Sequence, residues 1–266
     1  MRGCYAAAMQ NRTVPFPIPP RAPAGTTIIA FGDVHGHLTL MEEILAKAQA
    51  RARTKPDRRH IVISLGDLVD RGPDSRGVVA RLMGSLPGCE LHVLRGNHET
   101  LLMSFLAGDP DADVWLKWGG MATVGSYGVD IKGVDPHSKR DVERIRAEFR
   151  ARMLPDHLDF MRTRPLSLTF GDYFFVHAGA RPDVPLARQK EYDLIWIRDE
   201  FLPSGQLFEK KIVHGHTSVE EPDFRTNRIN LDTGACYGGK LTAAIFEDDV
   251  AEVFASIPAP PGTHFP

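Results

Sequence analysis

The fold class the sequence predicts is an α/β sandwich (α+β), with two mixed β-sheets packed face to face and flanked by helices. Three observations predict it. Short apolar runs at residues 27–31, 61–65 and 91–94 alternate with two helical patterns in the first hundred residues, the order of a parallel sheet with right-handed crossovers. From residue 166 onward the pattern becomes strand, turn, strand, so a second, largely antiparallel sheet is expected to pack against the first. Five apolar runs also stop abruptly at glycine beside Asp, Asn or His, and in α/β sheets ligands gather where the carboxyl ends of strands meet.

Taken in order, residues 1–25 carry Pro15, Pro17, Pro19, Pro20 and Pro23, which fix φ and remove donors, so an extended or disordered lead-in is expected before a domain over residues 26–256. The first strand, Thr27-Ile28-Ile29-Ala30-Phe31, runs into Gly32-Asp33-Val34-His35-Gly36. Thr39-Leu40-Met41-Glu42 has capping-box spacing and opens a helix to about Arg51, with Leu40, Ile44, Leu45 and Ala48 inward. Residues 60–72, HIVISLGDLVDRG, are the stretch around which the chain is organised. Ile61, Val62, Ile63 and Leu65 form a run suited to a strand buried on both faces; it ends in Gly66-Asp67, and Asp70, Arg71 and Gly72 follow on the same loop.

Pro73-Asp74-Ser75 starts the next helix, with Val78, Val79, Leu82, Met83 and Leu86 at helical spacing. Leu91-His92-Val93-Leu94 then runs into Arg95-Gly96-Asn97-His98-Glu99, followed by a helix through Leu106 that Gly108-Asp109-Pro110 breaks. Residues 108–153 read as a cap-like insertion at the rim, closing with an amphipathic helix over 139–153. Its Val142, Ile145, Phe149 and Met153 face inward, and Arg140, Arg144, Arg146, Arg150 and Arg152 read as a solvated face. A hairpin at residues 166–176 delivers His177-Ala178-Gly179, and Lys211-Ile212-Val213 delivers His214-Gly215-His216-Thr217. Strands are expected at 228–232, 241–246 and 250–254, then a proline-rich tail over 257–266.

Composition narrows the function classes. The chain is 42% hydrophobic and 25% charged, and 32 basic against 34 acidic residues give a net charge of -2, so no global positive field recruits nucleic acid or a membrane surface. Cys4, Cys89 and Cys236 form no CxxC pair, which fits reduced thiols in a cytoplasmic chain. Neither a secretory core nor a run of transmembrane length is present in the sequence.

Asp, His and Asn ligands without paired cysteines favour manganese, iron or zinc. Two divalent ions about 3.5–4 Å apart need a shared carboxylate, with terminal ligands on each side and a bridging water acidified to hydroxide. Asp67 leaves the central strand and is the natural bridge. Asp33 and His35 can grip the first ion, and Asn97, His177 and His216 remain for the second. His98, held by Asp70, is placed to protonate a departing alkoxide. Arg71, with Arg198 in Trp196-Ile197-Arg198-Asp199, would fork onto phosphate oxygens. His60, His92, His137, His157 and His264 read as ordinary surface or core histidines, and His214 is open between that reading and ligation.

The ordered motifs Gly32-Asp33-Val34-His35-Gly36, Gly66-Asp67-Leu68-Val69-Asp70-Arg71-Gly72, Gly96-Asn97-His98-Glu99, His177-Ala178-Gly179 and Gly215-His216-Thr217 resemble those of the calcineurin-like metallophosphoesterase superfamily. More narrowly, they resemble PPP-type serine/threonine protein phosphatases of bacteria and phage. The resemblance covers residues 28–247 and implies a dimetal site usually supplied with manganese, and attack by metal-bound hydroxide without a phosphoenzyme. It assigns Asp33, His35 and Asp67 to one metal and Asp67, Asn97, His177 and His216 to the other. His98 with Asp70 becomes the acid pair, Arg71 the phosphate clamp, and Arg198 matches the Trp-x-Arg arginine of the bacterial and phage forms. The Ser-Ala-Pro-Asn-Tyr loop of the eukaryotic enzymes is absent; Asp232-Thr233-Gly234-Ala235-Cys236-Tyr237 stands near there, so no regulatory subunit is inferred.

Three functions follow as expectations. The first is hydrolysis of phosphomonoesters, with phosphoserine and phosphothreonine in proteins as substrates and small phosphoesters beside them. The second is symmetrical hydrolysis of diadenosine tetraphosphate on the same metals, against which the resemblance sets Asp70 and Glu99. The third is a non-catalytic phosphopeptide-binding module.

Overall fold

The computed structural model describes residues 19–259. Its first sheet has six strands. β1 (Thr26–Phe31), β2 (Arg59–Ser64) and β3 (Glu90–Val93) run parallel, and α1 (Leu38–Thr54) and α2 (Ser75–Met83) make the crossovers. The second sheet has five strands: β4 (Ser167–Phe170), β5 (Tyr173–Val176), β6 (Lys211–His214), β7 (Asp223–Phe224) and β8 (Arg228–Asn230), in the spatial order β4-β5-β6-β8-β7. The chain then returns to the first sheet. β9 (Asp232–Thr233) pairs the end of β10 (Lys240–Glu247), which lies antiparallel to β1, with β11 (Val250–Pro258) outside it.

Side chains alternate along each central strand and so serve two cores. Ile28 and Ala30 of β1 meet Tyr173 and Phe175 of β5 and Phe246 of β10 between the sheets, whereas Ile29 and Phe31 face the helices. On the outer side of the second sheet Phe174, Val176 and Ile212 pack on Ile195, Ile197, Phe201 and Phe208. Burial on both faces explains why these strands read as unbroken apolar runs. The rest is helical: α3 (Asn97–Ala107), a 3₁₀ helix over Pro110–Trp118, α4 (Gly120–Ser126), α5 (Lys139–Arg152), α6 (Pro155–Arg162) and α7 (Glu191–Trp196).

Several sequence expectations need correction. The second sheet is not largely antiparallel: β5, β6 and β8 are mutually parallel, because long crossovers join them and only β4–β5 and β7–β8 pair antiparallel. The strands expected near 241–246 and 250–254 belong to the first sheet. Thr39 caps nothing; α1 begins at Leu38 behind His37 with no side-chain cap, while Asp74 does cap α2 by accepting from the Gly77 amide at 2.7 Å. Met83 is 40% exposed. Of the arginines expected on a solvated face, Arg140, Arg144, Arg150 and Arg152 are exposed but Arg146 is half-buried; Arg146 and Arg150 donate through Nε to the carbonyls of Phe105 and Leu106 at 3.0 and 3.1 Å, at the end of α3.

Most of the expected proline-rich lead-in and tail lies outside the described residues. Within them, Ala22 is buried and donates its amide to the Asp248 carbonyl at 2.7 Å. Cys4 and His264 also lie outside, and Cys89 and Cys236 are free thiols. No helix among the described residues is long and apolar enough to cross a membrane.

Candidate active site

Parallel strands β1, β2, β3, β5 and β6 point their carboxyl ends to one edge of the sandwich, where their loops interlock. The Gly215 amide donates to the His177 carbonyl at 2.8 Å, the His216 amide to both Asp33 oxygens at 3.2 and 3.1 Å, and the His98 amide to Asp67 Oδ1 at 3.1 Å. These approaches demand glycine. A Cβ on Gly96 would collide with the Asp67 carboxylate, and one on Gly215 with that of Asp33. Of the seven described non-glycine residues with left-handed backbone, five are His35, Asp67, Asp70, Arg71 and His216, so conformational strain is concentrated at this edge.

Asp67 is the centre, and its two oxygens face different ways. Oδ2 lies 3.6 Å from His35 Nε2 and 3.9 Å from His98 Nε2; Oδ1 lies 3.3 Å from His177 Nε2. The possible ligand atoms fall into two buried groups that share it, His35 with Asp67 and His98, and Asp67 with His177 and His216. His35 Nδ1 donates to the Val69 carbonyl at 2.7 Å and His177 Nδ1 to that of Leu65 at 2.9 Å, which turns both Nε2 atoms inward in the manner of metal-ligating histidines. Asn97 Oδ1 is 2.9 Å from His177 Nε2. Asn97 therefore sits at the second group, while Asp33 is tied to that side by accepting from the His216 amide.

The residues fit cations. His216 Nε2 is buried with no hydrogen-bond partner, and burial together with His177 pushes its pKa down to about 2, leaving a neutral lone pair. Burial opposes charge on His177, yet Asp67 and Asp33 outweigh it and lift its pKa to about 10: this cluster of carboxylates calls for positive charge. Burial and then Asp232 push the Asp33 carboxyl well above the usual carboxylate range, a cost that a divalent ion would remove.

His98 belongs to a second arrangement as well. Its Nδ1 meets Asp70 Oδ2 at 2.6 Å, and although burial works against its charge, Asp67 and that hydrogen bond raise its pKa above the ordinary value. Asp70 is fully buried and fully engaged: Trp115 Nε1 donates to Oδ2 and Thr123 Oγ1 to Oδ1, both at 2.6 Å. The Arg71 guanidinium spans from His35 Nε2 to His98 Nε2, the latter at 3.1 Å, and lies 5.2 Å from the Tyr237 ring centroid. Arg198 is exposed at the rim, its Nη2 3.5 Å from the His216 carbonyl.

His214 stands apart from both groups. It is buried against Phe201 and Arg228, and burial first, then Arg228, pushes its pKa to about 3. His60, His92, His137 and His157 likewise find partners elsewhere, in Lys55, Glu90, Lys117 and Tyr127.

Sequence reasoning missed what four residues do at the site. Asp232, buried where the chain crosses between sheets, is fixed by Ser218 Oγ at 2.8 Å and the Gly234 amide at 3.0 Å. It follows a short strand and precedes Thr-Gly, the same signal that marked Asp33 and Asp67. Glu99 accepts from the amides of Gly96, Asp67, Leu68 and Val69 and so fixes the Asp67 loop. Trp115 and Thr123 carried no local signal at all.

Known proteins can now be set beside this geometry. Residues 26–250 match the family described as calcineurin-like phosphoesterase. A bis(5'-nucleosyl)-tetraphosphatase PrpE (asymmetrical) of Anoxybacillus flavithermus is 27% identical over 232 residues, 80% of this chain and 87% of that one. Among solved structures, one described provisionally as a diadenosine tetraphosphatase superposes with a TM-score of 0.61 at 21% identity, covering 91% of this chain and 97% of its own. A protein serine/threonine phosphatase of Saccharomyces cerevisiae superposes at 0.50 and 17% identity, covering 90% and 82%.

Proposed function

The chain belongs to the calcineurin-like phosphoesterase family, and from that premise we propose that it hydrolyses dinucleoside tetraphosphates into unequal products, a mononucleotide and a nucleoside triphosphate. The observation that carries the phosphoester chemistry is the bridging posture of Asp67, one oxygen turned to each histidine group. The substrate class is supported by the relatives' names, which are bis(5'-nucleosyl)-tetraphosphatases. Nothing in them supports a protein substrate. Asp70 and Glu99, which spoke for one in the sequence, both point inward and hold loops, so they describe scaffold rather than substrate choice.

Asp33, His35 and Asp67 would hold one divalent ion and Asp67, Asn97, His177 and His216 the other. When bound, the pair supplies charge to phosphate oxygens and acidifies the attacking water. Arg71 and Arg198 bind and orient the phosphate being attacked. Water adds its oxygen to that phosphorus, the bond to the neighbouring bridging oxygen breaks, and the triphosphate departs. His98 Nε2, with Asp70 fixing its ring, carries the proton offered to the departing oxygen.

The test is product analysis. Metal-stripped protein is restored with manganese, iron or zinc and given diadenosine tetraphosphate or phosphoserine and phosphothreonine peptides. AMP and ATP in equal amounts, with kcat/KM at least about 100-fold above any peptide, are expected; ADP alone would mean symmetrical cleavage, and a peptide preference would overturn the substrate class.

A further inference from the structure

Beside the catalytic edge lies a cleft of about 580 Å³, within the size range of small-molecule sites, that shares only Arg71 with the residues proposed for hydrolysis. Two exposed aromatics from different parts of the chain line it. Trp118, 46% exposed, ends the 3₁₀ helix Pro110–Trp118, and Tyr237, 56% exposed, ends another over Ala235–Tyr237. Leu116, Met121 and Ile131 give it an apolar floor. The cleft is continuous with the phosphate site, because Arg71 lines it while its guanidinium touches His35 and His98. Its lining holds two cations, Arg71 and Lys117, and no carboxylate.

Taking the nucleotide reading above as its basis, we propose that this cleft is the nucleoside subsite, with Trp118 and Tyr237 stacking on the base of the nucleotide whose phosphate is attacked. Aromatic faces bind any base through its π-surface, and the two cations of the lining suit the polyanion attached to it. Because Arg71 belongs to both compartments, the base in the cleft is joined to the reacting phosphorus through the shortest connection, which suits unequal cleavage.

Trp118→Ala and Tyr237→Ala, each beside its Phe control, test the assignment in two ways. In turnover, each Ala variant is expected to raise KM for diadenosine tetraphosphate about tenfold, with kcat and all kinetics on p-nitrophenyl phosphate within about threefold of the parent, and Phe to restore most of the loss. In calorimetry on the metal-restored protein, AMP is expected to bind the parent and the Phe variants and to weaken about tenfold with each Ala variant. The two readings separate cleanly. If peptides prove the preferred substrate while AMP binding still depends on Trp118 and Tyr237, the hydrolase reading fails and the subsite stands. If the dinucleotide is hydrolysed but its KM and AMP binding ignore both substitutions, the subsite is wrong. A Trp118→Ala loss confined to peptide substrates would also overturn it.

Discussion

The strand-end loops and the segment from Pro110 to Ser126 meet on one carboxylate, that of Asp70, and serve it in opposite ways. From the loops comes the pair proposed as the acid: Asp70 follows β2 in a left-handed conformation and receives His98 from the start of α3. From the other side come Trp115 and Thr123, 45 and 53 residues further along, which donate to the two Asp70 oxygens. In the proposed reading the loops supply the reacting groups and the segment fixes their direction. Reactive groups can be encoded in short stretches because glycine and strand ends place them locally, whereas orientation is imposed across the fold.

The largest expected effect lies wholly in the loops. Asp67→Asn should lower turnover by at least about 10³-fold and release at least one metal, since both groups share that residue. Full metal occupancy in elemental analysis of the folded variant would break the bridging assignment. His98→Ala comes next. Two ions should remain bound while hydrolysis of an alkyl phosphomonoester falls about 10²–10⁴-fold, and the loss should be smaller on the dinucleotide, whose triphosphate leaving group needs little protonation. If metal is lost instead, the nearness of His98 Nε2 to Asp67 reflects ligation, and the line between acid and ligand moves.

Trp115→Phe sharpens the comparison from the other region. It keeps an aromatic ring among Phe105 and Phe149 but removes the donor to Asp70 Oδ2. Turnover should fall about tenfold with metal content unchanged, and stability by about 1–2 kcal/mol. Thr123→Val should act the same way, and the pair should be non-additive because both donate to one carboxylate. Unchanged turnover in both would mean that His98 alone fixes Asp70.

The difference in legibility has the same physical root. β1, β2, β3, β5 and β6, and the Asp, Asn and His residues behind them, were readable because a doubly buried strand leaves a continuous apolar run and a close backbone approach leaves glycine beside it. The parallel pairing of β5, β6 and β8 was not readable: apolar runs do not record the hand or direction of their neighbours, and the crossovers between them lack a strong helical period. Trp115 and Thr123 were hidden for a further reason. Each matters through a single hydrogen bond to a residue remote in sequence, and one hydrogen bond leaves no periodicity.

The smallest effect concerns how the segment itself is held. Arg146 donates through Nε to the Phe105 carbonyl at 3.0 Å, lies 4.7 Å over the Phe105 ring and pairs with Asp113, so it ties α5 to α3 and to the 3₁₀ helix that carries Trp115. Its removal takes away one of two donors to the Phe105 carbonyl, which keeps the Gly108 amide at 3.1 Å, and a partly buried cation–π contact, so Arg146→Ala should cost about 1–2 kcal/mol, read as a Tm lowered by a few degrees. Turnover of p-nitrophenyl phosphate well below that Tm should stay within about twofold, because Arg146 donates to neither Asp70 nor a candidate ligand. A fall in turnover as large as that of Trp115→Phe would show that the position of the 3₁₀ helix, and not only the indole donor, sets Asp70, and the orienting region would then extend out to α5.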